Sequence, residues 1–145
     1  MIARLPQRTK DDCATCVVAM VMGFPYTYER VLQDSSKYPK FTPDGKFPAW
    51  WETYFRDEGF DAFYCRSNGL YALLNYGGNV LGMLGMDIPH LKAAHIVAVD
   101  EIGVVDPADN APDHLPLQEY VWNRLHDAVV FHDHWLAVRK LSTTS

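Results

Sequence analysis

The stretch Gln7-Arg8-Thr9-Lys10-Asp11-Asp12-Cys13-Ala14-Thr15-Cys16, continued by the apolar run Val17 to Met22, decides how this chain folds. It reads as a polar lead-in, a helix start at Asp11 or Asp12, and a helix with almost no polar face. Acidic residues suit an N-cap, where a side-chain oxygen accepts one of the helix's unpaired backbone N–H groups. Cys13, Val17, Met20 and Val21 then form one stripe, while Cys16, Val18, Ala19 and Met22 cover much of the rest. A helix apolar all round lies inside a domain. Cys13 therefore opens a buried helix, where the helix dipole favours an anionic thiolate. Asp11 and Asp12 oppose that effect with their own charge, and most cysteines near helices are inert filling. The rest of the chain has to decide between a nucleophile and a packed thiol.

With 145 residues, 48% of them hydrophobic and 13% aromatic, the chain is expected to form one domain over residues 1–145 around a single core. The formal net charge is −5 and no Lys/Arg cluster stands out, which argues against a nucleic-acid partner. Met1 to Pro6 lacks the apolar core of a secretion signal, and no window approaches a membrane-spanning length, so a cytosolic location and no membrane partner are expected. The cysteine count of three is odd, which without a secretion signal favours free thiols. Cys13 and Cys16 form a C-x-x-C, but no strand precedes it as a thioredoxin-like redox pair would require. Cys65 has no Cys or His neighbour to complete a zinc site.

Beyond the first helix, Gly23-Phe24-Pro25 acts as a stop. Tyr26 to Gln33 suits a short helix capped by Thr27, with Tyr28, Val31 and Leu32 inward, and Asp34 to Lys46 reads as a loop. Pro48 to Glu58 is helical, its Trp50, Trp51, Tyr54 and Phe55 forming a core face. Asp61 to Cys65 is a strand, a helical turn runs through Leu74, and Val80 to Met86 is a buried strand. His95 to Val99 and Val104 to Asp106 frame a turn at Asp100-Glu101-Ile102-Gly103, a hairpin signal. Leu117 to Leu125 is a helix, and Val129 to Phe131 with Trp135 to Val138 form a final strand pair or one bent strand. Helices first and antiparallel strands after indicate an α+β domain.

The hairpin gathers the chemistry. His95 opens its first strand and Asp106 closes the second, eleven residues on, so folding at 100–103 sets the two side by side. A carboxylate beside an imidazole fixes its tautomer and steadies the imidazolium, as nucleophilic catalysis requires. Pro107 keeps Asp106 extended and ends the strand. Gln7, six residues before Cys13, can direct its amide to the same point as the Cys13 backbone N–H, and two such donors make an oxyanion hole. His132-Asp133-His134 has the look of a metal dyad, yet no third ligand is evident, so no metal and no cofactor are expected.

Gln7-x5-Cys13, with Asp12 before the cysteine and an apolar helix after it, resembles the bacteriocin-processing (double-glycine leader) peptidase family of papain-like cysteine proteases. The segment Ala94-His95-Ile96-Val97-Ala98-Val99, followed by Val104-Val105-Asp106-Pro107, resembles that family's histidine and "DP" segment. The resemblance implies a papain-like α+β fold with the cysteine helix packed on an antiparallel sheet. It also implies Cys13 as nucleophile, His95 as general base and acid, Asp106 as its orienter and Gln7 as oxyanion donor. The chain departs from the family in carrying Ala14 where a glycine usually follows the cysteine, and in a short hairpin between His95 and Asp106. It also shows neither a membrane span nor a P-loop, so a free-standing peptidase-like domain is expected rather than an exporter.

The expected activity is therefore a thiol hydrolase cutting a peptide or other amide bond through an acyl-enzyme on Cys13. Two alternatives stay open: an inactive papain-like module that binds a partner protein, and an acyl transferase using the same thioester. The expected partner is a peptide or protein substrate, basic or neutral given the net charge, in a cleft bordered by Trp50, Trp51 and the 34–46 loop.

Overall fold

The computed structural model describes residues 2–9, 12–38, 50–65, 81–91, 93–108 and 114–141. In chain order the elements are α1 (Cys13–Met22), α2 (Tyr28–Ser35), α3 (Trp50–Asp57), β1 (Phe60–Cys65), β2 (Gly82–Ile88), β3 (Ala93–Val99), β4 (Val104–Val105), α4 (Leu117–His126) and β5 (Val130–Lys140). A single 3-10 turn, Pro89–Leu91, joins β2 to β3. The strands form one antiparallel sheet in the order β1-β5-β2-β3-β4. The expected helical turn before Leu74 and most of the expected 34–46 loop lie outside the described residues.

Burial follows the alternation of the strands. Met83, Ile96, Ala98, Leu136 and Val138 pack with α1, α2 and α3 on one side of the sheet. Leu84, Met86, Val97, Val99 and Trp135 pack with Tyr120 of α4 on the other. Both faces of the sheet are covered, as its two-sided apolar content requires. Every residue of α1 from Thr15 to Met22 is buried, in accord with its lack of a polar face. Each fully buried valine there contributes about 1.5–3 kcal/mol, which fixes α1 against β3 and with it the position of Cys13.

Two local expectations need correction. Asp12 is the N-cap of α1, but its side chain makes no capping hydrogen bond. Its Oδ2 instead accepts from the Arg8 backbone N–H at 3.0 Å and the Tyr28 hydroxyl at 2.8 Å, tying the lead-in and α2 to the start of α1. In α2 the buried face is Tyr28, Val31 and Ser35, spaced three and four apart, so Leu32 points outward. The Thr27 cap is present, its hydroxyl accepting from the Arg30 N–H.

β5 is one bent strand. Its register against β2 shifts between Leu84 and Met86, which resolves the two options left open for residues 129–138. Here β2 and β5 approach so closely that a Cβ on Gly82 would overlap the Leu136 backbone carbonyl. Gly82→Ala is therefore expected to cost about 1–3 kcal/mol through forced backbone displacement. Urea unfolding checks this, and an unchanged midpoint would contradict the close approach.

Candidate active site

The site forms where the lead-in, α1 and the β3–β4 hairpin meet. The hairpin turn is set by Asp100. Its Oδ1 accepts from the N–H groups of Ile102 and Gly103 at 2.9 and 3.1 Å, the local bonding for which aspartate favours turns. Its Oδ2 accepts from the Ile2 N–H at 2.9 Å and lies 3.0 Å from His114 Nε2. These bonds hold the Asp100 carboxyl below its ordinary range although burial works to raise it.

From Ile2 the lead-in runs along the hairpin as a strap. The Arg4 guanidinium donates to the backbone carbonyl of Asp106 at 3.0 Å and to that of Ala108. The Gln7 N–H donates to the Pro107 carbonyl at 2.7 Å, and the Arg8 N–H to Asp12. The chain ahead of Cys13 is thus fixed to the segment that carries Asp106, which brings Gln7 to the same end of the molecule.

Within β3, β4 pairs with Ala98 and Val99, so the ladder on that side stops short of His95, which is paired on its other side with Met86 of β2. His95 Nε2 lies 2.7 Å from Asp106 Oδ1, and both side chains are buried. The Cys13 side chain, half-buried at the first turn of α1, lies near enough to the same ring to raise its proton affinity. With Nε2 committed to Asp106, Nδ1 is the nitrogen left for the thiol. Burial works to lower the proton affinity of His95, but its bonds to Asp106 and Cys13, and the charge of those two groups, outweigh that and raise its pKa to about 9. Asp106 is held below the ordinary carboxylate range: desolvation is opposed by His95, by the Ala108 N–H and by Tyr120.

The structure therefore brings together Cys13, His95 and Asp106, and holds the Gln7 backbone to Pro107, next in the chain to Asp106. It adds residues the sequence reading did not select. The Ala108 N–H donates to Asp106 Oδ1 at 2.8 Å, and the buried Tyr120 hydroxyl donates to Asp106 Oδ2 at 2.9 Å. Arg4 supports the same segment through main-chain carbonyls.

The other thiols differ. Cys16 is fully buried with its Sγ 3.7 Å from the Pro6 carbonyl; burial, reinforced by the charges of Asp12 and Cys13, pushes its pKa up to about 12. Burial also pushes the Cys65 thiol up. At β5, His132 Nε2 pairs with Asp87 Oδ1 at 3.2 Å, and the side chain of His134 lies outside the described residues.

An apolar cavity of about 150 Å³ opens between α3 and the sheet, lined by Trp51, Tyr64, Met83, Ala94, Ile96 and Leu136 among others. Ala94 and Ile96 bracket His95 in β3. Trp50, by contrast, is buried in the core.

The α+β architecture is that of papain-like peptidase domains. Two solved structures, a peptidase domain and a protease each from a transporter, share it. The peptidase domain of Streptococcus ComA, a bifunctional ABC transporter involved in a quorum-sensing pathway, superposes with a TM-score of 0.67. The match covers 97% of this chain and 100% of that one at 15% identity. A double-glycine-motif protease from an AMS/PCAT transporter, solved in complex with the leader peptide, superposes with a TM-score of 0.62. That match covers 97% of this chain and 93% of that one at 18% identity. No family model and no curated protein matches the sequence. Among the described residues no helix is long and apolar enough to cross a membrane.

The His95 environment has a consequence for stability. A histidine raised from 6.5 to about 9 on folding stabilises the native state fully below pH 6.5, and that contribution is lost as pH rises through about 9. Asp106 and Asp100, both lowered from 3.8, contribute above that pH, and their contribution is lost in acid below it. Urea unfolding measured across pH is expected to show stability falling between pH 6.5 and 9 in the wild type, with a flatter response in His95→Gln. Equal slopes for the two proteins would contradict a raised native-state affinity.

Proposed function

We propose that the protein is a cysteine peptidase-like hydrolase that cleaves a peptide amide bond through an acyl-enzyme on Cys13. One observation carries this reading: an imidazole held through Nε2 by a buried carboxylate, with the helix-terminal thiol of Cys13 close enough to raise its proton affinity. His95 takes the Cys13 proton, giving a thiolate–imidazolium pair. The thiolate attacks the substrate carbonyl. The oxyanion that forms is met by the Cys13 backbone N–H, one of the first-turn groups without a helical partner, and by the Gln7 side-chain amide. The imidazolium passes its proton to the leaving amine, and the C–N bond breaks to leave a thioester. Neutral His95 then removes a proton from water, which attacks the thioester and returns the Cys13 thiol. Asp106 holds the ring in one tautomer through both steps.

A peptide substrate is supported by the leader peptide bound in the AMS/PCAT relative. The apolar cavity between α3 and the sheet suits an apolar side chain of that substrate, since its lining offers mostly carbon. A Gly-Gly coumarin amide with an apolar N-terminal extension tests the reading. The wild type is expected to release coumarin and to show a transient acyl adduct on Cys13 by intact mass. Cys13→Ala and His95→Ala are expected to lose at least about a thousandfold in kcat/KM, and Gln7→Ala about a hundredfold or more. Ala94→Leu, which narrows the cavity, is expected to raise KM more than it lowers kcat. Turnover that survives Cys13→Ala would overturn the reading, and a protein that binds the peptide without cleaving it would indicate the inactive module instead.

A further inference from the structure

The group that decides where the Asp106 carboxylate points comes from the far layer of the fold. Asp106 presents Oδ1 to His95 and to the Ala108 N–H, and Oδ2 to the Tyr120 hydroxyl. The Ala108 bond is local and moves with the loop. Tyr120 is a separate anchor, on α4, across the second core cluster from α1. Its own ring is fixed from three directions. Its hydroxyl lies 3.7 Å from Met86 Sδ of β2, its ring meets Phe131 of β5 edge-on at 6.5 Å between centroids, and the Arg124 guanidinium of its own helix lies 6.0 Å from the ring centre.

We infer that Tyr120 is a positioning residue that locks the Asp106 carboxylate with Oδ1 toward His95, making a four-membered chain Cys13–His95–Asp106–Tyr120. The inference rests on the proposed role of His95 and Asp106. Without the Tyr120 donor, Oδ2 is a buried acceptor with no partner among the described residues, and rotation of the carboxylate toward another donor draws Oδ1 away from the ring. Burial, then the Asp106 charge, push the Tyr120 hydroxyl far above its ordinary range, so it stays protonated and donates wherever the enzyme would work. The titratable groups around the pair are few: Asp106 and Cys13 face His95, while Asp106 and Arg124 face Tyr120.

The test is the protonation midpoint of His95, followed by imidazole NMR in the wild type, in Tyr120→Phe and in Asp106→Asn. A positioning role predicts that Tyr120→Phe stays folded and that His95 loses about tenfold in proton affinity, part of the larger loss in Asp106→Asn. A role in packing alone predicts lower thermal stability with the midpoint unmoved, which would overturn the inference. A midpoint that rises would also overturn it, because it would mean Tyr120 merely draws charge from Asp106. If Tyr120→Phe does not fold, the wild type still answers. A protected Tyr120 hydroxyl proton resonance that disappears in Asp106→Asn supports the lock, and its absence from the wild type refutes it. His95 titrates whether or not a peptide is cleaved, so failure of the hydrolase reading and failure of this one are separable.

Discussion

The 2.7 Å pairing of His95 with Asp106 is the constraint around which the rest of the structure is arranged. A buried carboxylate is costly unless hydrogen bonds satisfy it, and Asp106 is satisfied by three donors from three parts of the chain: the imidazole of β3, the N–H two residues on, and the Tyr120 hydroxyl of α4. The strap closes the arrangement from the other side, with Arg4 and Gln7 bonded to the carbonyls of Asp106, Pro107 and Ala108. Because the same strap leads into α1, the bonds that fix Asp106 also fix where the Cys13 helix begins. The second layer, α1 on β3, then needs only burial to keep the thiol at the ring.

Asp12 and Asp100 show how acidic residues near the site serve structure rather than chemistry. Asp100 gathers four donors and anchors both the hairpin turn and the start of the strap. Asp12 spends one oxygen on Arg8 and Tyr28, while its buried Oδ1 has no hydrogen-bond partner among the described residues. With burial as the larger cause, the Asp12 charge helps keep the second thiol of the C-x-x-C protonated. The two cysteines are therefore chemically unequal: one faces an imidazole, the other is sealed under the strap.

Much of this arrangement was legible in the sequence because it is local. The all-apolar run Val17 to Met22 dictated a buried helix, and the β-branched runs around Asp100-Glu101-Ile102-Gly103 dictated the hairpin that pairs His95 with Asp106. What stayed hidden depends on long-range packing. Tyr120 lies on a helix that periodicity locates correctly, but nothing in its neighbourhood ties it to a carboxylate fourteen residues earlier. Asp12 read as a cap because local pattern cannot show that Tyr28, sixteen residues on, competes for its oxygen. Leu32 read as inward because a window of a few residues does not say whether i+3 or i+4 faces the core. The fold likeness to the ComA and AMS/PCAT structures, at 15% and 18% identity, is an architecture shared while most side chains differ.

The central claim is that Cys13 is activated by His95. Iodoacetamide at low concentration near neutral pH, with labelled sites mapped by mass spectrometry, tests it without any knowledge of the substrate. The account predicts rapid alkylation of Cys13, slow alkylation of Cys65, protection of Cys16, and loss of the rapid phase in His95→Ala. Cys13 reacting no faster than Cys65, or equally fast without His95, would contradict it.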